Sequence, residues 1–168
     1  MDEAVLAQLL DPAALALLET IEYRPSEELA IASRLRKDGM SPALASELLN
    51  QAQLRTEAAA KFGPFAESML FTRDGLAQAT RLSVAAHHSR RMLATAPEVI
   101  ADLGCGLGAD AMAFAGMGGE TRVEAVDADP VTAALAAYNL KALDTVSVTQ
   151  GFAEDADLSS FDAVWMDP

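Results

Sequence analysis

Asp102-Leu103-Gly104-Cys105-Gly106-Leu107-Gly108-Ala109-Asp110 is the stretch on which the reading of this 168-residue chain turns. The run from Glu98 to Leu103 before it is apolar and reads as a buried strand. Residues 107–117 after it read as a helix. Gly104 and Gly106 let the backbone turn sharply and come close to a ligand, where a Cβ would block both movements. The helix N-terminus behind the loop offers free N–H groups to an anionic or polar ligand. About 20 residues on, Asp127 ends the next apolar segment, where a carboxylate accepts hydrogen bonds from ribose hydroxyls.

Downstream, the same alternation continues. Residues 121–127 read as a second strand, and Asp129-Pro130 opens a helix reaching about Ala142, with an N-cap followed by proline at the first helical position. Residues 145–150 and 161–167 read as a third and a fourth strand. Strands and helices of this length in alternation imply an α/β fold, a Rossmann-like parallel sheet with right-handed crossovers. Upstream of residue 95 the signals are helical. Asp11-Pro12 opens one helix through Leu15, Leu18 and Ile21, and Ser26 is expected to cap another that Gly39 ends. Ser41-Pro42 starts a long helix closed by Gly63-Pro64, and Thr80 is expected to cap a helix running to Thr95. The chain divides on this basis into an all-helical N-terminal region, residues 1–78, and a sheet domain, residues 79–168.

Gly104-x-Gly106-x-x-Ala109 also satisfies the loose dinucleotide fingerprint, so the glycines alone leave a nicotinamide oxidoreductase open. Three features favour S-adenosylmethionine. Asp102 puts a carboxylate at the strand end, where it suits a methionyl ammonium and faces a pyrophosphate badly. Gly108 gives the compact loop a third close approach. The fourth strand ends in Asp167-Pro168, which hydride transfer does not require.

In their order along the chain these segments resemble the class I S-adenosylmethionine-dependent methyltransferases. Val99 to Asp110 looks like motif I of that family, and Val123 to Pro130 like the acidic-loop motif that follows it. Gln150 to Asp155 stands where the family places its adenine-contacting loop, with Phe152 where an aspartate is frequent. Phe161 to Pro168 is similar to the strand leading into the catalytic Asp/Asn-Pro-Pro motif. The resemblance covers roughly residues 80–168 and implies a cofactor site built from Thr80, Asp102, Gly104, Cys105, Gly106, Gly108, Asp110, Asp127, Ala128, Phe152 and Ala153. It implies Asp167 and Pro168 as the catalytic pair, and no metal. Residues 69–80 with the Asp-Pro ending look most similar to bacterial relatives of trimethylguanosine synthase, including those with a THUMP-like RNA-binding domain. That likeness implies methylation of an RNA base, with the exocyclic amine of guanine favoured. The family's sheet has seven strands and this sequence supplies four. The expectation is therefore a domain truncated at its catalytic motif, binding cofactor without turnover.

Charge is unevenly spread. Residues 1–95 carry 10 Lys and Arg against 12 Asp and Glu, and residues 96–168 carry 2 against 13. The second half would repel a polyanion, so RNA affinity would have to come from a basic C-terminal region beyond this sequence. The locally basic stretch Lys61, Arg73, Arg81, Arg90 and Arg91 reads as a solvated helix face or as a phosphate-contacting rim. A helix-turn-helix DNA reader around Gly39 is disfavoured, since Arg55 and Lys61 are balanced by Glu47 and Glu57. A non-catalytic S-adenosylmethionine-binding module remains a further alternative. Cys105, the single cysteine, suits packing inside the loop and a reducing cytoplasm. No apolar run reaches the ~18–20 residues of a membrane span. Adjacent His87 and His88 point in different directions on their helix and are given no role in methyl transfer. Trp165 is expected to be buried in the fourth strand, with a place in the wall of the substrate site as the lesser alternative. An unpaired fourth strand would leave an edge that recruits other chains, so self-association is expected.

Overall fold

The computed structural model describes residues 1–167, so the expected role of Pro168 lies outside the described residues. Its helices are α1 (Glu3–Leu9), α2 (Pro12–Leu18), α3 (Glu28–Lys37), α4 (Pro42–Phe62), α5 (Arg73–Gln78), α6 (Leu82–Leu93), α7 (Ala109–Gly118) and α8 (Pro130–Leu140). The strands are β1 (Val99–Leu103), β2 (Arg122–Asp127), β3 (Val146–Gln150) and β4 (Ala163–Met166). They form one all-parallel sheet in the order β3-β2-β1-β4. The Rossmann-like architecture behind a helical N-terminal region is as expected. The order reverses at β1, whose neighbours β2 and β4 lie on opposite sides of it. In open parallel sheets a ligand crevice opens at such a switch point, beyond the carboxyl ends of the strands.

Local chemistry accounts for most boundaries. The carboxylates of Asp11 and Asp129 cap α2 and α8 by accepting from Ala13 and Thr132 N–H, with proline at the first helical position in both. Gly39, at φ +87°, ends α3 in the left-handed conformation that an L side chain resists. Two expected caps are corrected. Pro25 presets a 3₁₀ turn over Pro25–Glu27, so α3 starts only at Glu28, and Ser26 does not cap it. Arg81 occupies the N-cap position of α6 without a side-chain bond, which leaves Thr80 one residue upstream of the cap. The helix opened by Asp11 ends at Leu18, short of Ile21. Helices α1 and α5 are absent from the sequence reading.

One apolar cluster joins Leu9, Leu35, Leu48, Leu54 and Phe62 of the helical region to Leu107, Ala109, Val131 and Leu135 of the sheet half. Polar side chains reinforce the join. Gln51, fully buried on α4, donates from Nε2 to the Phe71 carbonyl (2.6 Å) and accepts from the Phe71 N–H (2.9 Å). Asn139 on α8 accepts from Leu70 N–H (2.7 Å) and donates to the carbonyls of Leu70 (3.0 Å) and Leu107 (3.2 Å). Residues 70–71, a buried stretch outside regular secondary structure, thus have their peptide groups satisfied from both sides. Replacing Gln51 by leucine keeps the volume and strands two buried backbone groups. The expected cost is about 2–4 kcal/mol, read as a lower urea midpoint at unchanged slope.

Candidate cofactor and active site

At the carboxyl end of β1, Asp102 is 2% exposed and its Oδ2 has no hydrogen-bond partner. Burial, followed by the neighbouring Asp110 carboxylate, pushes its carboxyl up to about 7. The loop that follows is pinned to β2. Gly104 and Cys105 N–H both donate to the Val126 carbonyl, at 2.8 and 2.9 Å. Gly106 N–H donates to Asp127 Oδ2 (2.9 Å), and Asp129 N–H to Asp127 Oδ1 (3.0 Å). Asp127 therefore stitches the glycine loop to the end of β2, and each of its oxygens keeps lone-pair capacity for a further donor. Gly108 lies at φ +87°, and a Cβ there would stand 2.7 Å from Leu140 Cδ1.

One cavity opens on this loop and a second lies beside it, at the end of β2. The first encloses about 420 Å³ and is lined by Thr80, Asp102, Gly104, Cys105, Asp110 and Asp167 together with Trp165 and Gln78. The second, about 680 Å³, is lined by Asp127, Asp129, Thr132 and the α5 residues Arg73, Gly75 and Gln78. Gln78 borders both. Ala128, Phe152 and Ala153 line neither cavity. They stand together past the carboxyl ends of β2 and β3, where Gly151 N–H bonds the Asp127 carbonyl and Gln150 Nε2 the Ala128 carbonyl. Phe152 is 56% exposed, its ring free to cover a planar ligand. Gly106 and Gly108 serve the backbone of the loop and border neither space.

The sequence reading did not join His88 to Asp110 and Trp165. His88 Nδ1 lies 2.7 Å from Asp110 Oδ1, and the His88 ring sits 4.5 Å from that of Trp165, between α6 and β4. Nothing in the sequence joins two residues 22 positions apart on different helices. Trp165 is half-buried and lines the first cavity, with its indole N–H unpartnered. Cys105 is buried among Asp102 and Asp127, and burial pushes its thiol far above the ordinary range, so it stays protonated and packs. Of the basic stretch, Lys61 is occupied internally. Its ammonium donates to the carbonyls of Leu76 (2.8 Å), Ala77 (2.7 Å) and Ala79 (2.8 Å). Burial, then the nearby Arg81, lowers its pKa. Arg81 bonds the Ala60 carbonyl, and Arg73 pairs with Glu57.

Among the described residues no group of three or more His, Cys, Asp or Glu side chains is arranged to hold a metal ion, and no helix is long and apolar enough to cross a membrane. The first cavity presents Asp102, Asp110 and Asp167 and the second Asp127; no lysine or arginine is bonded to any of the four among the described residues, and His88 is the side chain that meets Asp110. Such a set of acceptors calls for a ligand that brings positive charge and hydroxyl donors.

Comparison with known proteins agrees. Residues 100–167 match the family model of a methyltransferase domain, and residues 2–58 match a domain of unknown function. An uncharacterized S-adenosylmethionine-dependent methyltransferase of Mycobacterium tuberculosis is 38% identical over 103 residues, which cover 57% of this chain and 27% of that protein. A crystal structure described as that of a candidate methyltransferase from Porphyromonas gingivalis W83 superposes with a TM-score of 0.65. It is 19% identical, over 88% of this chain and 42% of that one.

The sheet half has the methyltransferase fold.

A candidate RNA methyltransferase from Pyrococcus horikoshii shares the methyltransferase fold more distantly, at a TM-score of 0.50 and 21% identity over 69% of this chain and 58% of that one. The S-adenosylmethionine expected from Asp102 and the glycine loop agrees with the cofactor in the name of the mycobacterial relatives. The chain spans 27% of the length of those curated relatives.

Proposed function

We propose that this chain holds the cofactor site of an S-adenosylmethionine-dependent methyltransferase that acts on an exocyclic amine of an RNA base, guanine being favoured. The observation that carries the cofactor assignment is the buried Asp102 carboxyl, whose Oδ2 has no partner, at the mouth of the glycine loop in a cavity shared with Asp110 and Asp167, with Asp127 lining the adjoining one. A methionyl ammonium supplies the missing partner of Asp102, and ribose hydroxyls the further donors for Asp127. A pyrophosphate would meet like charge throughout. When bound, the cofactor supplies an electrophilic methyl group, and the protein's part is proximity and alignment.

The acceptor assignment rests on Asp167. It follows β4 directly, is exposed, and borders the same cavity as Asp102. Placed there, its carboxylate accepts a hydrogen bond from the acceptor N–H, aims the nitrogen lone pair into the cavity, and stabilises positive charge developing on nitrogen. The half-buried Trp165 offers an aromatic wall to a planar base. Methylation of RNA also accords with the name of the Pyrococcus neighbour and with the similarity of residues 69–80 to trimethylguanosine synthase relatives. The acidic sheet half contributes no phosphate affinity, so RNA binding would fall to another part of the protein. For these 168 residues by themselves the reading is cofactor binding without turnover.

Calorimetric titration with S-adenosylhomocysteine, with NADH as control, tests the cofactor. Heat from the former alone supports the reading. Heat from NADH alone would favour the oxidoreductase that the Gly104-x-Gly106-x-x-Ala109 spacing also allows. For the acceptor, Asp167→Ala is expected to leave S-adenosylhomocysteine affinity within about threefold and to lower methyl transfer at least about a hundredfold in a form of the protein that turns over. Undiminished transfer would remove Asp167 from the mechanism.

A further inference from the structure

We propose that Lys61 is a positioning residue that latches α5 across the cofactor crevice, and that release of the latch sets how fast the cofactor leaves. The inference rests on the cofactor reading above. Helix α5 has six residues, too few to persist through its own hydrogen bonds. It lies where the two cavities meet. Gly75 faces Leu107 of the glycine loop so closely that a Cβ would come within 3.1 Å of Leu107 Cγ. Gln78 borders both cavities, and Ala79 and Thr80 continue the wall of the first. Whatever occupies the crevice along the glycine loop is therefore covered by α5.

The covering segment is held mostly from α4, with Asn139 of α8 bonding both backbone groups of Leu70. On α4, Arg55 Nε donates to the Met69 carbonyl (2.9 Å) and Gln51 pairs with both backbone groups of Phe71, which fixes the entry to α5. Thr72 Oγ1 then caps its first turn by accepting from Gly75 N–H. The exit depends on Lys61. The last carbonyls of a helix have no partner within it, and an ammonium has three donors. Lys61 spends all three on Leu76, Ala77 and Ala79. With the entry fixed by buried bonds, the last carbonyls of α5 held by the half-buried Lys61 and the chain beyond anchored by Arg81 on the Ala60 carbonyl, α5 loosens from the Lys61 end.

Lys61→Met keeps the aliphatic stem and removes the donors. Stopped-flow measurement is expected to show S-adenosylhomocysteine leaving at least about tenfold faster, with its association rate within about threefold. Lys61→Arg should recover part of the loss. In the ligand-free protein, amide exchange of residues 76–80 should accelerate in Lys61→Met while protection of β1 and β2 stays as it was. Unchanged dissociation and unchanged exchange at 76–80 would overturn the latch. So would a general loss of protection, which would make Lys61 a stability residue only. If the unaltered protein does not bind S-adenosylhomocysteine, the cofactor reading fails, and the exchange comparison still decides the latch.

Discussion

Replacing Asp102 by asparagine is expected to weaken S-adenosylhomocysteine binding by about a hundredfold or more, and at the same time to stabilise the ligand-free protein at pH 8. Both effects come from one buried carboxyl. Asp102 has an Oδ2 without a partner and a pKa raised to about 7, burial being the larger cause and the Asp110 carboxylate the next. Without ligand, the folded chain holds a proton on Asp102 that the unfolded chain gives up above about pH 4. Where the native state binds the extra proton, stability falls as pH rises. The penalty is absent below about pH 4, grows up to about pH 7, and is constant beyond. Its size is on the order of a few kcal/mol at most. Asparagine cannot ionise, so the variant should match the natural chain near pH 4 and exceed it at pH 8 in denaturant titrations.

Binding has the opposite dependence. A ligand ammonium favours the carboxylate, so at pH 6 complex formation must expel the proton from Asp102, and affinity should rise with pH until it levels off above 7. Calorimetry at pH 6 in buffers of different ionisation heat should register close to one proton released, and none in Asp102→Asn. The hundredfold loss corresponds to about 2.7 kcal/mol, within the range for removing one member of a charged, desolvated pair. An Asp102→Asn variant that binds as tightly as the natural chain would show that the ammonium sits elsewhere.

Gly108→Ala is expected to cost about 2–5 kcal/mol and to abolish measurable cofactor binding. Two costs combine. The left-handed backbone at φ +87° costs an L residue about 1–2 kcal/mol. The added methyl meets Leu140 Cδ1 at 2.7 Å and Cγ at 3.0 Å, and Leu140 is 2% exposed in the core beneath β2. Overpacking of that kind costs roughly another 1–3 kcal/mol. Relief would move α8 or the loop, and Asn139, next to Leu140, ties both to residue 70. Gly104→Ala is the internal control. Gly104 has a similar φ of +82°, but nothing lies within 4 Å of a Cβ there. Its stability loss should stop at the backbone term, and urea unfolding of the two variants side by side measures the Leu140 contact by difference. Equal losses would mean that Leu140 yields without cost.

Where a boundary is written in local chemistry, the sequence was sufficient. Asp11-Pro12, Asp129-Pro130 and Gly39 act through bonds or torsions within a few residues, and the three glycines of the loop declare left-handed backbone directly. Ser26 and Thr80 misled because a capping side chain counts only if the next residue enters the helix, and Pro25 and Arg81 decided otherwise. Helix α5 was illegible for a different reason. Its interior glycine and short length argue against a helix, and what holds it comes from Lys61 and Leu107, far away in sequence. The same holds for the site. Asp102, Asp127 and the loop glycines could be named from spacing along one strand-turn-helix unit. The pairing of His88 with Asp110 and its stack on Trp165 exist only once α6, α7 and β4 are packed together.

The apolar cluster shared by α4, α7 and α8 bears on how this protein can be dissected. Leu107 lies inside the glycine turn and Val131 in the first turn of α8, yet both are buried in one cluster with side chains from the first 62 residues. A polypeptide started at residue 79 would expose those contacts and remove Leu70, both of whose backbone groups bond Asn139. The region matched to a domain of unknown function is therefore no detachable appendage. It supplies the far wall of the interior in which the glycine turn is set, so its loss would be felt first as a loss of folding stability.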